Sequence, residues 1–159
     1  MNKIYLLLGS NIGNRQKEIL LAIRYIENRI GKVIRQSNLY QTVAWGKTNQ
    51  PDFLNQVIII ESNLTATETM KSVLAIEEKM GRIRTTKNAA RIIDIDILFF
   101  NKEIINQKNL LIPHLEIQNR RFVLVPLNEL SPNLKHPVLN KNIHQLLKLC
   151  ADTLDVKKF

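Results

Sequence analysis

Arg91-Ile92-Ile93-Asp94-Ile95-Asp96-Ile97-Leu98-Phe99 alternates carboxylate with isoleucine at a period of two. That is the pattern of a β-strand, whose successive side chains point to opposite faces. Asp94 and Asp96 therefore share a face, with Cα atoms roughly 6.6 Å apart. Ile93, Ile95 and Ile97 take the other face. The strand spans Ile92–Phe100, and reading backwards from it places everything upstream. Arg82–Arg91 is a polar, basic loop. Before it, Thr65-Ala66-Thr67-Glu68 fits a capping box, opening a helix that runs to Met80 and stops at Gly81. Phe53–Ser62 is a strand around the run Val57-Ile58-Ile59-Ile60, and Trp45–Pro51 is the loop that leads into it. Lys32–Ala44 is a further strand. In Asn14–Ile30, Ile19, Ile23, Ile26 and Ile30 recur at helical spacing and Gly31 ends the run. Lys3–Leu8 is a buried strand closed by Gly9-Ser10-Asn11. The order β-α-β-β-α-β is the split βαβ of ferredoxin-like α+β folds, an antiparallel sheet covered by helices. From Asn101 on, a C-terminal extension of short strands and short helices, around Pro126–Leu130 and Ile143–Leu149, is expected to extend or cover the sheet. The whole, 1–159, reads as one domain.

Composition narrows the chemistry. One cysteine, Cys150, excludes an internal disulfide and a thiolate metal cluster. His114, His136 and His144 stand far apart in sequence and form no zinc-binding spacing. The first apolar run, Ile4–Leu8, is too short to be a signal peptide or to span a bilayer, so a cytoplasmic protein with no membrane partner is expected. Lys and Arg outnumber Asp and Glu by 23 to 14, a formal charge of +9. Such a balance points to an anionic partner without saying which.

Three clusters carry chemistry. Two carboxylates at i, i+2 in an apolar strand repel each other and resist desolvation, a cost that a divalent cation removes. Carboxylate oxygens suit Mg²⁺, which keeps some waters and takes other ligands from phosphates. The plain alternative is a sheet face open to water. Arg82, Arg84, Lys87 and Arg91 crowd the loop before the strand, and guanidinium groups match phosphate oxygens bidentately. Acidic ligands and arginines cooperate where an anion such as a Mg-polyphosphate bridges them; otherwise the loop is simply solvated. Neither GxxxxGK[ST] nor GxGxxG is present, so any ATP site uses another cradle. Glu77 falls on the apolar stripe of its helix and needs a partner there, or else reaches solvent from the stripe's edge. Pro113-His114, Asn119-Arg120-Arg121-Phe122, Tyr40-Gln41-Thr42 and Gln50-Pro51-Asp52-Phe53-Leu54-Asn55 form a third, dispersed set, unspecific when taken singly.

Taken together, Leu8-Gly9-Ser10-Asn11, Gln50 through Asn55, Glu77 through Arg84, Arg91 through Ile97, Ile112-Pro113-His114 and Asn119 through Phe122 resemble the 6-hydroxymethyl-7,8-dihydropterin pyrophosphokinases of folate biosynthesis. The resemblance runs nearly end to end. It implies transfer of the β,γ-pyrophosphoryl group of ATP to the pterin hydroxymethyl oxygen, with release of AMP. Two Mg²⁺ ions are then held by Asp94 and Asp96. Arg82 and Arg91 meet the phosphates and the developing charge as the catalytic pair. Glu77, Arg84, His114, Arg120 and the backbone near Ile97 and Leu111 lie along ATP. The pterin stacks between Phe53 and Phe122, its polar edge read by Asn55 and the Thr42–Val43 region, with Trp45 over it. A monomer acting on small molecules, with no nucleic-acid partner, is expected.

Three rival readings share the fold. An RNA-recognition module needs exposed aromatics on its central strands, which the runs IYLLL and VIIIES do not offer. A nucleotide-sensing protein binds ATP without turnover. A simple phosphokinase releases ADP instead of AMP.

Overall fold

The computed structural model describes residues 1–43, 50–82 and 90–159. Strands β1 (Asn2–Ser10), β2 (Lys32–Gln36), β3 (Tyr40–Thr42), β4 (Phe53–Ser62), β5 (Asp94–Phe100) and β8 (Val156–Lys158) form one antiparallel sheet. Its order is β5-β1-β4-β3-β8, with β2 pairing the same edge of β4 as β3. Helices α1 (Arg15–Arg29) and α2 (Ala66–Lys79) supply the two crossovers. The expected split βαβ arrangement is therefore present, with β5-β1-β4-β2 as its four-strand core. A hairpin of β6 (Ile105–Gln107) and β7 (Leu110–Ile112) follows, then α3 (Arg121–Leu130) and α4 (Ile143–Leu149). The Ile112–Pro113 peptide between the hairpin and His114 is cis.

The central strands are apolar on both faces because helices cover both. Ile4, Leu6 and Leu8 of β1, with Ile58 and Ile60 of β4, pack against Ile19, Ile23 and Ile26 of α1 and Val73 and Ile76 of α2. Tyr5 and Leu7, with Val57 and Ile59, pack against Val123, Leu124 and Leu127 of α3 and Ile143 and Leu146 of α4. Among the described residues the sheet thus offers no open central face of the kind an RNA-recognition module uses for stacking.

The local signals for the first two helices are present as expected. Asn14 caps α1 by accepting from Lys17 N–H, and Thr65 with Glu68 closes the capping box of α2. Gly81 ends α2 at φ +86°, a conformation that favours glycine.

Other details differ from expectation. Lys32–Ala44 is not one strand. Ser37 intervenes: its backbone N–H donates to Val57 O and its Oγ accepts from Val57 N–H, so β2 and β3 pair β4 on either side of a break. β5 carries a bulge, since Leu6 opposes Ile97 whereas Tyr5 opposes Phe99. Leu98 is the extra residue, and Leu98 and Phe99 both join the α3 side. The helix expected from Pro126 begins five residues earlier, at Arg121, whose N–H donates to Asp152 Oδ2. Pro126 lies inside it. Finally, β8 adds to β3, with Thr42 opposite Val156 and Thr42 Oγ1 donating to Asp155 O.

No described helix is long and apolar enough to cross a membrane.

Candidate active site

The α3-covered face of the sheet changes character along the strands. At one end lie Ile59, Tyr5 and Phe99, beneath α3 and α4. Toward the other, register brings Asp96 opposite Leu7, and Asp94 opposite Gly9, which faces Asn55 on its other side. Asn55 in turn opposes Tyr40, and Phe53 opposes Thr42. Leu7, Gly9, Thr42, Val43, Phe53, Asn55, Arg91, Asp94, Asp96, Arg120 and Phe122 line one cavity. Aromatic walls with a few convergent polar and charged groups are what a small-molecule site presents. Nine of these residues are those expected from sequence; Leu7 and Gly9 are additions. The signal for both was available, because a strand beside β5 must set alternate residues under the two aspartates.

Gly9 forms the floor. A Cβ built there stands 2.8 Å from Asn55 Oδ1 and 3.7 Å from Phe53 Cδ1. Only the absent side chain lets Asn55 lean across the strand. Asn55 is 3% exposed, and its Nδ2 has no hydrogen-bond partner among the described residues. A buried donor left in that state is costly unless a ligand completes it.

The charged end is tightly connected. Arg82 Nη1 donates to Glu77 Oε2 and to Asp94 Oδ1, each at 2.7 Å. Arg91 Nη1 donates to Asp94 Oδ2 at 3.0 Å. Glu77, 2% exposed, also accepts the Ile95 N–H at 2.8 Å. The expected partner on the apolar stripe of α2 is thus an arginine together with a strand amide. Burial, and then the negative charges of Asp94 and Glu77, push the Asp96 carboxyl well above its ordinary value, while Arg120 and Arg82 pull it back. A carboxyl so placed gains from any cation that arrives.

Arg120 and Phe122 reach the cavity from the start of α3, and the Arg120 guanidinium lies 5.8 Å from the Phe122 ring centre. Arg91 stands in the same relation to Phe53, at 5.6 Å. Each aromatic wall therefore has an arginine beside it. His114 is fixed by its N–H to Leu98 O, and its Nδ1 accepts the Glu116 N–H at 3.1 Å. Burial and then Arg120 hold its pKa below the ordinary value. Ile97 lies on the edge strand β5 with its side chain in the core, and Leu111 on β7 is 38% exposed. Arg84 and Trp45 lie outside the described residues.

A family model described as 7,8-dihydro-6-hydroxymethylpterin-pyrophosphokinase (HPPK) matches residues 5–132. The 2-amino-4-hydroxy-6-hydroxymethyldihydropteridine pyrophosphokinase of Aquifex aeolicus is 37% identical over 145 residues, covering 91% of this chain and 90% of that protein. The folic acid synthesis protein fol1 of Pneumocystis carinii is 36% identical over 149 residues, covering 94% of this chain and 20% of that protein. The chain thus spans about a fifth of the fungal protein's length. Plasmodium falciparum HPPK-DHPS with STZ-DHP superposes with a TM-score of 0.77 at 22% identity, over 93% of this chain and 43% of that one. That last likeness is one of fold. By the extent of the family match and of the Aquifex relative, the chain belongs to the HPPK family, the pyrophosphokinases of folate biosynthesis.

Proposed function

We infer that this chain, as one domain over 1–159, moves the β,γ-pyrophosphoryl group of ATP to the hydroxymethyl oxygen of 6-hydroxymethyl-7,8-dihydropterin and releases AMP. The observation that carries this is the cavity itself. Its Phe53–Asn55–Phe122 half suits a flat heterocycle with a polar edge, and it opens directly onto paired carboxylates and arginines. The orphaned Asn55 Nδ2 supports a pterin edge in that half. Thr42 spends its hydroxyl proton on Asp155 O, which leaves the hydroxyl oxygen and the Thr42–Val43 backbone to read the pterin.

The donor set suits Mg²⁺. Asp94 and Asp96 offer hard oxygen ligands on one face, and the upward push on Asp96, from burial first and then from Asp94 and Glu77, is one that a cation would relieve. Asp94 and Asp96 would hold two Mg²⁺ ions, which supply charge neutralisation and alignment of the ATP phosphates. The protein's own groups do the rest. Arg82 and Arg91 already crowd Asp94, and they meet the phosphates from there. Glu77, buried behind Arg82, acts on the nucleotide by holding that guanidinium in place. With Nδ1 accepting from Glu116, His114 keeps its proton on Nε2 and donates from it, neutral, beside Arg120. Phosphoryl chemistry needs positioning and charge stabilisation more than covalent catalysis, and these residues provide both. A monomer acting on small molecules is part of this reading, and use of ATP fits a cytoplasmic enzyme.

The deciding experiment incubates the protein with Mg-ATP, with and without the pterin, and separates AMP from ADP. Pterin-dependent AMP is expected. Pterin-dependent ADP changes the reaction to simple phosphoryl transfer, and ATP binding without turnover makes the chain a nucleotide sensor.

A further inference from the structure

Asn11, the last residue of Leu8-Gly9-Ser10-Asn11, does not line the cavity, yet it is only 1% exposed. Its polar groups bond in two directions. Toward Arg91, its Oδ1 accepts the backbone N–H at 2.8 Å and its own N–H donates to the carbonyl at 3.1 Å. Toward the segment that enters β4, its Nδ2 donates to Gln50 Oε1 at 2.9 Å and to Pro51 O at 3.2 Å. Arg91 continues to Asp94, three residues on, and Pro51 leads to Phe53, two residues on. A buried carboxamide bonded on both sides has one low-energy placement, and shifting either neighbour breaks a bond.

We propose that Asn11 is a positioning residue for the reaction: it sets the phosphate-side arginine, Arg91, in register with the aromatic wall at Phe53, so that nucleotide and pterin are presented to each other at a fixed separation. This rests on the reading of the cavity as the joint pterin and ATP site. The side chain touches neither substrate. Its effect runs through the backbone of Arg91 on one side, and through the Gln50 side chain and the Pro51 carbonyl on the other. When the Arg91 guanidinium turns from Asp94 to a phosphate, its backbone stays tied to the pterin wall through Asn11. Catalysis by alignment is sensitive to shifts of this kind even where affinity is not.

Two variants test it. Asn11→Asp retains the acceptor for Arg91 N–H and loses both donations to Gln50 and Pro51; Asn11→Ala loses the whole side chain. Both are assayed for AMP release, for pterin affinity, and for affinity toward a non-hydrolysable Mg-ATP analogue, with circular dichroism to confirm the fold. For Asn11→Asp, pterin affinity is expected to fall about tenfold and analogue affinity to change by no more than about twofold. For both variants, kcat is expected to fall further than either affinity. A folded variant whose kcat follows its affinities, or matches the parent, overturns the proposal. Should both variants fail to fold, Gln50→Ala removes one acceptor alone; an unchanged pterin affinity and kcat there overturns it equally. If the parent protein forms no AMP with pterin, the reading of the cavity fails instead, which is a separate result.

Discussion

Arg82 Nη1 and Asp94 Oδ1 lie 2.7 Å apart, and the same nitrogen lies 2.7 Å from Glu77 Oε2. Arg91 occupies the other oxygen of Asp94. Two guanidinium groups thus neutralise Asp94 from within; in the proposed reaction a cation would compete with them for the carboxylate, and phosphates would compete with the carboxylate for them. Were Asp94 to turn to a metal, Glu77 would still hold Arg82. Arg82→Ala should lower kcat for AMP release by roughly 10²–10³-fold, as removal of one preorganised charged donor does. Pterin affinity should hardly change. Steady-state kinetics with separate pterin titrations check this, and a loss confined to pterin affinity would refute the phosphate role.

Asp96→Asn should separate stability from activity. The substitution keeps the side chain's shape and removes a carboxyl whose ionisation is opposed first by burial and then by Asp94 and Glu77. The metal-free variant should therefore melt higher than the parent at neutral pH, by about 2–4 °C for each kcal/mol of that cost removed. Its Mg²⁺-dependent turnover should be almost abolished. Melting in EDTA, alongside AMP release over a Mg²⁺ titration, reads both effects. Undiminished activity would sink the metal assignment.

Gly9→Ala tests the floor of the cavity. The new Cβ meets Asn55 Oδ1 at 2.8 Å, so Asn55 must swing away from the position in which it lines the pocket. Pterin affinity should fall about tenfold or more, the value of one or two hydrogen bonds. Affinity for a Mg-ATP analogue should be retained. Calorimetry with each ligand separately distinguishes this from general damage, which would weaken both.

What could be read ahead of the structure was whatever neighbouring residues decide. The alternation through Asp94 and Asp96, the Thr65–Glu68 box and the isoleucine stripe of α1 carry their own period or cap, and each stands where it was expected. The misses depend on partners remote in sequence. The start of α3 takes an acceptor from Asp152, 31 residues on, and so moves the helix ahead of Pro126. The break at Ser37 depends on Val57, and β8 is a strand only because β3 lacks a neighbour on that edge. The site divides in the same way. Asp94 and Asp96 declared themselves through spacing, and Glu77 through its place on an apolar stripe. Phe53, Asn55 and Phe122, unspecific alone, were placed by resemblance. Gly9 and Asn11 matter through what a sheet register and a buried carboxamide bring beside them.

His136 gives the fold an acid sensitivity independent of the active site. It is 4% exposed, with its ring edge-on to Phe99 at 5.7 Å. Its Nδ1 accepts from Val138 N–H at 3.2 Å and Leu139 N–H at 3.1 Å. Burial lowers its pKa from the ordinary 6.5. Protonating Nδ1 would break both bonds, so the folded state keeps the ring neutral while the unfolded chain takes up a proton. The stability this group confers is therefore complete above about pH 6.5 and drains away as pH falls through that value toward the lowered folded one. His136→Gln should be less stable than the parent at pH 7.5, and the difference should shrink at pH 5.5. Urea denaturation at the two pH values measures it. A constant difference would mean that His136 titrates alike in both states and that its burial has no bearing on acid stability.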